Sequence, residues 1–252
     1  MGDNLGVNQT LGFSAGFLNS RCCRLCTISP REFGTVFCEN DCPLRTISNY
    51  AEAVSNLPDS TKTYGIKEEC VLHAYSSYHC ILNIYGDGMH DLPGGVCQCN
   101  LSLILHEFIH VKQYLTLEHL NTKIHGFSYD EYDENRIPEI PASAIGGTGS
   151  FKIIMTSAEM LTLMKYFGLL VGDKIPKNDK HRRLYILLNK ILTIVRSKFY
   201  QKTFHIYFGS LIEEYLYLRS ELFPGTANLN ITCSCIIPVS CWKLDPYGML
   251  VA

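Results

Sequence analysis

Apolar residues recur at the three- to four-residue spacing of an amphipathic helix in several parts of the chain. One such stripe follows the cap candidate Thr46 and predicts a short helix that ends near Pro58. A longer stripe predicts a helix from about Cys99 to His119. The glycine-rich stretch Gly86–Gly95, which precedes this longer helix, predicts a turn-rich loop.

Three more helices are predicted between residues 151 and 223. The first opens with the pair Thr156 and Glu159, because the threonine hydroxyl and the glutamate carboxylate can each satisfy a backbone N–H. The second follows the cap candidate Asp179, and the third stops before Pro224. The pattern therefore predicts a helical bundle in this part of a mainly α protein.

Composition and charge narrow the class of protein. The chain has 252 residues, 46% hydrophobic content and 18% charged residues, so it can bury a substantial core. Its formal net charge of −2 provides no global field that would attract nucleic acid. No signal-peptide pattern and no apolar run of membrane-spanning length occurs. We expect a soluble, intracellular protein of the nucleus or cytoplasm that is not secreted, with no membrane partner and no small-molecule substrate.

Twelve cysteines in such a chain indicate reduced thiols or metal ligands rather than a disulfide scaffold. Cys23 and Cys26 form a C-x-x-C pair, which positions two thiolates for one metal ion. Cys38 and Cys42 are local candidates for the remaining ligands, and His90 is a remote one. Zinc is therefore the candidate cofactor. The alternative is a set of buried cysteines that act as small hydrophobic residues.

The string HEFIH at residues 106–110 matches the H-E-x-x-H motif of zinc peptidases. On a helix, His106 and His110 lie one turn apart and could bind zinc, while Glu107 activates a bound water. Such enzymes need a third ligand downstream, and here Lys112 follows closely, Glu118 and His119 are the nearby candidates, and His125 is no better spaced. The favoured interpretation is an amphipathic helix with two solvent-facing histidines, and the zinc-dependent peptidase is kept as an alternative.

A cluster of basic residues surrounds the start of the helix that follows Asp179. Its members could contact the phosphates of nucleic acid. The candidate contacts are Lys177, Lys180, Arg182 and Arg183. Because Asp173 and Asp179 interrupt the cluster, a solvated helix face is the competing interpretation.

Seven short motifs follow one another in a fixed order along the chain. They are GDNLGVN at 2–8, LGF at 11–13, CRLC at 23–26, LRTISNY at 44–50, GDGMHDLPGGV at 86–96, DKHRRLYILLNKILTIV at 179–195 and FGSLIEEYLYL at 208–218. Taken together, they resemble the transposases of CACTA-type (En/Spm-like) DNA transposons. The resemblance covers most of residues 2–222.

The resemblance implies an RNase H-like core in which three acids hold two divalent metal ions, such as Mg²⁺, for DNA cleavage and strand transfer. It implies that Asp3 is the second of these acids and that Cys23 and Cys26 are the family's C-x-x-C. It further implies that His90 is the histidine of the family's M-H loop. HEFIH would then lie in the helix that follows this loop, a structural element without a catalytic role.

The chain departs from the family pattern at two of the three acids. No upstream strand supplies a first acid, and the arginine-aromatic-glutamate string that carries the third is replaced by CWKLDPYGMLVA at 241–252. Because one acid cannot hold two metal ions, we expect a catalytically inactive relative or an internal fragment. Magnesium is expected only for an intact family member.

The expected architecture is mainly α, with a truncated RNase H-like core of few strands and a large helical insertion. Residues 1–98 would form the partial core, including the cysteine-rich segment that is the candidate zinc site. Residues 99–223 would form the insertion, which contains an exposed acidic and Gly-rich loop at 126–150. Residues 224–252 would be an irregular tail. DNA or a related full-length transposase is the expected partner, and a zinc-stabilised interaction module is a further alternative.

Overall fold

The computed structural model describes residues 4–14, 21, 23–29, 32, 35–38, 41–57, 59–83, 88–146, 152–197, 204–224, 243–244 and 250–251. Asp3, the candidate second acid, lies outside these residues. The chain divides into two compact units, of which the first contains Met1–Asp91 and Ser197–Ala252 and the second Leu92–Arg196. The domain boundaries predicted at 98/99 and 223/224 stay predictions.

The described residues are mainly α-helical, which confirms the predicted fold class at this level. The α-helices are, in chain order, α1 (Asn4–Thr10), α2 (Ile47–Ser55), α3 (Ser60–Tyr64), α4 (Gly88–Asp91), α5 (Gln98–His106), α6 (Leu117–His125), α7 (Ser157–Val171), α8 (Lys180–Val195) and α9 (Phe204–Leu222). Wider π-helical segments are Leu92–Cys97 and Glu107–Val111, and tighter 3-10 turns are Val71–Ala74 and Ala142–Ala144. Strands β1 (Lys243–Leu244) and β2 (Leu250–Val251) pair antiparallel, with Lys243 opposite Val251.

In the first unit, α2 begins as predicted. Thr46 accepts a hydrogen bond from the Asn49 N–H, and the Asn49 side chain accepts one from the Thr46 N–H. The helix turns Tyr50 and Ala53 inward. They join a core whose other buried members are Leu11, Phe13, Ile66, Cys70 and Cys80.

A backbone pairing ties the N-terminal segment to this core. Phe13 forms a β-bridge with Ile66, and the carbonyl of Gly12 accepts hydrogen bonds from the N–H groups of Lys67 and Glu68. Gly12 has a φ of +76°, and a Cβ there would lie 2.2 Å from the Glu68 carbonyl oxygen. Only glycine therefore fits this position without displacing the chain.

In the second unit, residues Leu92–Val111 form a helical run. The loop predicted over Gly86–Gly95 is wrong for residues 88–95, which are helical, while residues 86 and 87 lie outside the described residues. Pro93 lacks an N–H, and glycine is a poor helix former. The complete burial of Leu92 and the near-complete burial of Val96 outweigh these costs. Tertiary packing thus overrides the local turn signal here.

The helix predicted for residues 99–119 stops at Val111 instead. Gln113 has a φ of +53°, a left-handed conformation that ends a helix. The Tyr114 N–H then donates to the Phe108 carbonyl at 2.8 Å, and Thr116 caps the new helix α6 by accepting from the His119 N–H. The apolar stripe continued across this break, so periodicity alone did not reveal it.

Helices α7 and α8 begin at the predicted caps. Thr156 and Glu159 form a capping box, and Asp179 accepts hydrogen bonds from the N–H groups of His181 and Arg182. The inward faces of this unit are almost completely excluded from solvent. They include Leu101, Ile104, Leu105, Phe108, Met160, Leu163, Phe167, Leu184, Leu188 and Ile191.

The segment predicted as an exposed connection at 126–150 is partly buried where it is described. Ile137, Ile140 and Ile145 are each at most 5% exposed. The Asn121 side chain donates to the Ile140 carbonyl and accepts from the Ile140 N–H, both at 3.0 Å. This amide replaces a neighbouring strand and satisfies buried backbone groups. No helix in the described part of the chain combines the length and apolar character required to cross a bilayer.

Candidate functional site

A tight turn brings together the two sulfur atoms of the C-x-x-C pair. The Leu25 N–H donates a hydrogen bond to Cys23 Sγ at 3.3 Å, and the thiol of Cys26 also hydrogen-bonds that sulfur. The bond with Cys26 is the main reason why the pKa of Cys23 falls to about 7, although burial opposes the change. Thiolate is therefore substantially populated at neutral pH, and thiolate is the form that binds zinc.

The buried guanidinium of Arg45 holds this turn in place. It donates to three backbone carbonyls at 2.8, 3.0 and 2.6 Å, those of Cys23, Arg21 and Tyr64 respectively. A β-bridge between Cys26 and Leu44 adds a second backbone connection. The turn is thus fixed by charge-assisted hydrogen bonds before any metal binds.

The other predicted zinc ligands have different positions. Cys42 is buried in the same small hydrophobic cluster as Cys23 and Cys26, whereas Cys38 is half-buried. His90 lies on α4 with its side chain exposed. Among the described residues, the predicted ligands do not form a group of three whose ligand atoms all lie within 4.8 Å of one another, although another set of side chains does. The complete zinc set around Cys23 therefore stays a prediction.

That group of three consists of Cys70, His73 and Cys80. Cys70 immediately precedes the 3-10 turn Val71–Ala74, and residues three apart lie on the same face of such a turn. Cys80 returns to the same place, where its N–H donates to His73 Nε2 at 3.2 Å. Two sulfurs and one imidazole nitrogen are typical donors for zinc, so this group can hold a metal ion.

Burial and aromatic packing set the electrostatics of this group. Cys70 and Cys80 are 2% and 0% exposed, and the Cys70 N–H donates to the Tyr50 hydroxyl at 2.9 Å. Burial raises the pKa of Cys80 to about 11 and also raises the pKa of Tyr50. Burial lowers the pKa of the neighbouring His79. All these shifts favour neutral side chains, so a bound cation would supply the charge that stabilises thiolates here.

Cys70, His73 and Cys80 are not among the ligands predicted from the sequence. Their C-x-x-H pair followed by a cysteine seven residues later is a signal of the right residue types. This signal was missed because the spacing is irregular, and because a turn rather than a helix or strand brings Cys80 close to His73.

The HEFIH histidines lie side by side. His106 ends α5 and His110 lies in the following π-helical segment, and their ring centroids are 5.1 Å apart. His106 Nδ1 lies 2.8 Å from the Ile145 carbonyl oxygen, which orients the ring. Among the described residues, no third ligand atom joins both histidines within 4.8 Å. Glu107 instead lies 3.8 Å from His181 Nε2. The peptidase site stays a prediction.

A partly buried polar network occupies the start of α8. Lys112 Nζ lies 2.5 Å from Asp179 Oδ2 and 2.8 Å from His181 Nδ1, and the Tyr114 hydroxyl donates to Asp179. Burial favours the neutral carboxyl of Asp179, but the hydrogen bonds from Lys112 and from two N–H groups outweigh it and lower the pKa. Burial and the nearby Lys112 lower the pKa of His181. The network anchors the helix end and leaves these groups engaged with one another.

The predicted nucleic-acid contacts divide into two groups. Lys177, Lys180 and Arg183 are exposed. Arg182 instead donates to the carbonyls of Gly172 and Ile175, at 3.3 and 2.5 Å, and so helps to close the end of α7. Three of the four predicted contacts are therefore exposed cations, and the fourth is engaged within the protein.

Comparisons with known proteins give no further assignment. The chain matches no protein-family model, and neither curated proteins nor solved structures give a significant match.

Proposed function

We propose that this chain is a zinc-stabilised interaction module of transposon origin, without transposase activity of its own. The observation that carries the proposal is the turn at Cys23 and Cys26, where hydrogen bonds lower the pKa of one thiol to about 7. A thiolate already favoured by its surroundings costs less to deprotonate when zinc binds. Cys42, which packs in the same cluster, favours the local ligand set with Cys38 over the set with His90.

The transposon origin rests on the order of the seven motifs. In a CACTA-type relative, the segment around Asp3 and the cysteine-rich turn would be the second half of an RNase H-like core, and the helical second unit would be the insertion. Strand transfer in such enzymes needs three acids around two metal ions. The 252 residues contain a counterpart for one of them, Asp3. We therefore expect the chain alone to neither cleave nor join DNA.

A protein, such as a related full-length transposase, is the proposed partner in preference to DNA. The net charge is −2, and one of the four basic candidates, Arg182, is engaged in closing α7. DNA affinity comes largely from cations that neutralise phosphates, and its salt dependence grows with the number of phosphates contacted. Three exposed cations therefore predict weak binding with a shallow salt dependence.

The experiment that tests the zinc role is hydrogen exchange on the purified full-length chain, measured with zinc present and after chelation. We expect chelation, and also the substitution Cys23→Ser, to accelerate exchange at residues 23–29 and 41–45. Exchange in α7 and α8 should not change. Zinc that binds the folded turn and not the unfolded one stabilises the turn, so losing the zinc lets the turn open more often.

The matched control is Cys99→Ser, a buried cysteine of the second unit. This variant should retain the zinc-dependent protection of residues 23–29. The proposal of a zinc-stabilised module is refuted if exchange at the turn is the same with and without zinc in the unsubstituted chain, and the same again in Cys23→Ser.

A zinc-dependent peptidase is the second candidate. The feature in its favour is the contact of His106 with the Ile145 carbonyl, because zinc-bound histidines usually have such an orienting partner. Casein cleavage that requires zinc and disappears in Glu107→Gln would establish it. Absence of cleavage with zinc present would remove it.

A further inference from the structure

We propose that Cys70, His73 and Cys80 form a second zinc site, separate from the turn at Cys23. The inference rests on three ligand atoms that lie within 4.8 Å of one another, two on buried cysteines and one on the half-buried His73. It does not depend on the proposed function, because neither Cys23 nor Cys26 belongs to the group. The site would join the 3-10 turn Val71–Ala74 to the turn that follows His79.

The donor atoms select the metal. The group offers two thiols and an imidazole, and no carboxylate belongs to it. Hard cations such as Ca²⁺ and Mg²⁺ prefer oxygen ligands, whereas zinc prefers sulfur and nitrogen. When zinc binds, it displaces the protons of the two thiols, and these protons are released to solvent.

The orientation of His73 supports a metal ligand. Its Nδ1 lies 3.5 Å from a Glu69 carboxylate oxygen, while its Nε2 faces the Cys80 backbone N–H at 3.2 Å. A carboxylate at one ring nitrogen commonly orients a histidine whose other nitrogen binds zinc. Nε2 is therefore the proposed ligand atom, and zinc would replace its hydrogen bond with the Cys80 N–H.

The surroundings indicate a structural site. Both cysteines belong to the buried core of the first unit, in contact with residues such as Tyr50 and Ile66. The ring of His79 packs against that of His73 at 4.5 Å, measured between centroids, while its Nδ1 accepts a hydrogen bond from the Ile81 N–H and His79 does not belong to the group. Because both cysteines are buried among core side chains, a zinc ion held by them would stabilise the fold and would be poorly accessible to a substrate.

The test is a count of zinc ions on the reduced, full-length chain by native mass spectrometry. With both sites intact, we expect two ions per chain. Cys80→Ser and His73→Gln should each lose one ion, because each removes one ligand of the second site. Cys97→Ser, which removes a buried cysteine of the other unit, should keep both.

The same count separates this inference from the proposed function. Cys26→Ser should lose the ion of the first site and keep the ion of the second. One ion that disappears in Cys26→Ser but persists in both Cys80→Ser and His73→Gln overturns the second site and leaves the proposed function intact. The reverse pattern supports the second site and overturns the proposed function.

A measurement on the unsubstituted chain guards against variants that do not fold. Alkylation of Cys70 and Cys80, mapped by peptide mass, should slow about tenfold at a free zinc concentration ten times the dissociation constant. Alkylation of Cys97 should keep the same rate with and without zinc. Equal rates at Cys70 with and without zinc, or a disulfide between Cys70 and Cys80 in the reduced preparation, contradict the proposal.

Discussion

Cys23 and Cys80 are the same residue type in opposite chemical states. Hydrogen bonds, first that from Cys26, lower the pKa of Cys23 to about 7, and burial raises the pKa of Cys80 to about 11. Both side chains are buried, and the difference arises because hydrogen bonds outweigh burial at Cys23, whereas burial outweighs the hydrogen bonds at Cys80. At neutral pH, Cys23 is a ready metal ligand, while Cys80 needs a cation to become one.

A pH titration of the metal-free chain tests this state of Cys23. The ultraviolet absorbance of thiolate should contain a component with a midpoint near pH 7, and Cys23→Ser should remove it. Because folding lowers this pKa from 9.0, the associated stability is full above pH 9 and is lost as the pH falls through 7. If every thiol titrates above pH 8, the hydrogen bonds do not act as described.

At the scale of elements, the start of α8 depends on one carboxylate. Asp179 caps the helix through the N–H groups of His181 and Arg182, and it also pairs with Lys112. Its side chain is 4% exposed in this ion pair, so removing it leaves both helical N–H groups without that acceptor and the partly buried ammonium of Lys112 without its carboxylate partner.

Asp179→Ala should therefore lower the free energy of unfolding by about 3 kcal/mol, the range for losing a cap and one member of a buried pair. Urea unfolding followed by circular dichroism measures this change. The matched control is Asp173→Ala, which removes an exposed partner of Lys123 and should cost less than about 0.5 kcal/mol. Equal effects of the two substitutions would show that burial of the Asp179 pair contributes nothing.

The same elements show how far local sequence determines the fold. Thr46, Thr156 and Asp179 cap helices as predicted, because a cap depends on residues within one turn. The helix over Gly88–Cys97, the break at Gln113 and the burial of Ile140 were missed. Each of these depends on packing against residues distant in sequence, which periodicity cannot reveal.

At the scale of the whole molecule, the two cysteine groups differ in how visible they are in the sequence. Cys23 and Cys26 are three residues apart, so a motif identifies them, and Cys42 joins them through folding. Cys70, His73 and Cys80 are brought together by turns, and the two cysteines pack in the core that also contains Tyr50 and Phe13. The sequence therefore predicted zinc as a ligand and one candidate site, at Cys23 and Cys26. The second candidate site was recognised from the structure.

Elemental analysis of the chain purified in reductant without added chelator shows most directly whether zinc is part of this protein. We expect about two zinc ions per chain, retained through gel filtration, because structural zinc sites bind far more tightly than the dilution of a column can reverse. A chain that elutes folded with no zinc, and takes up none when zinc is added, would show that zinc is not part of it.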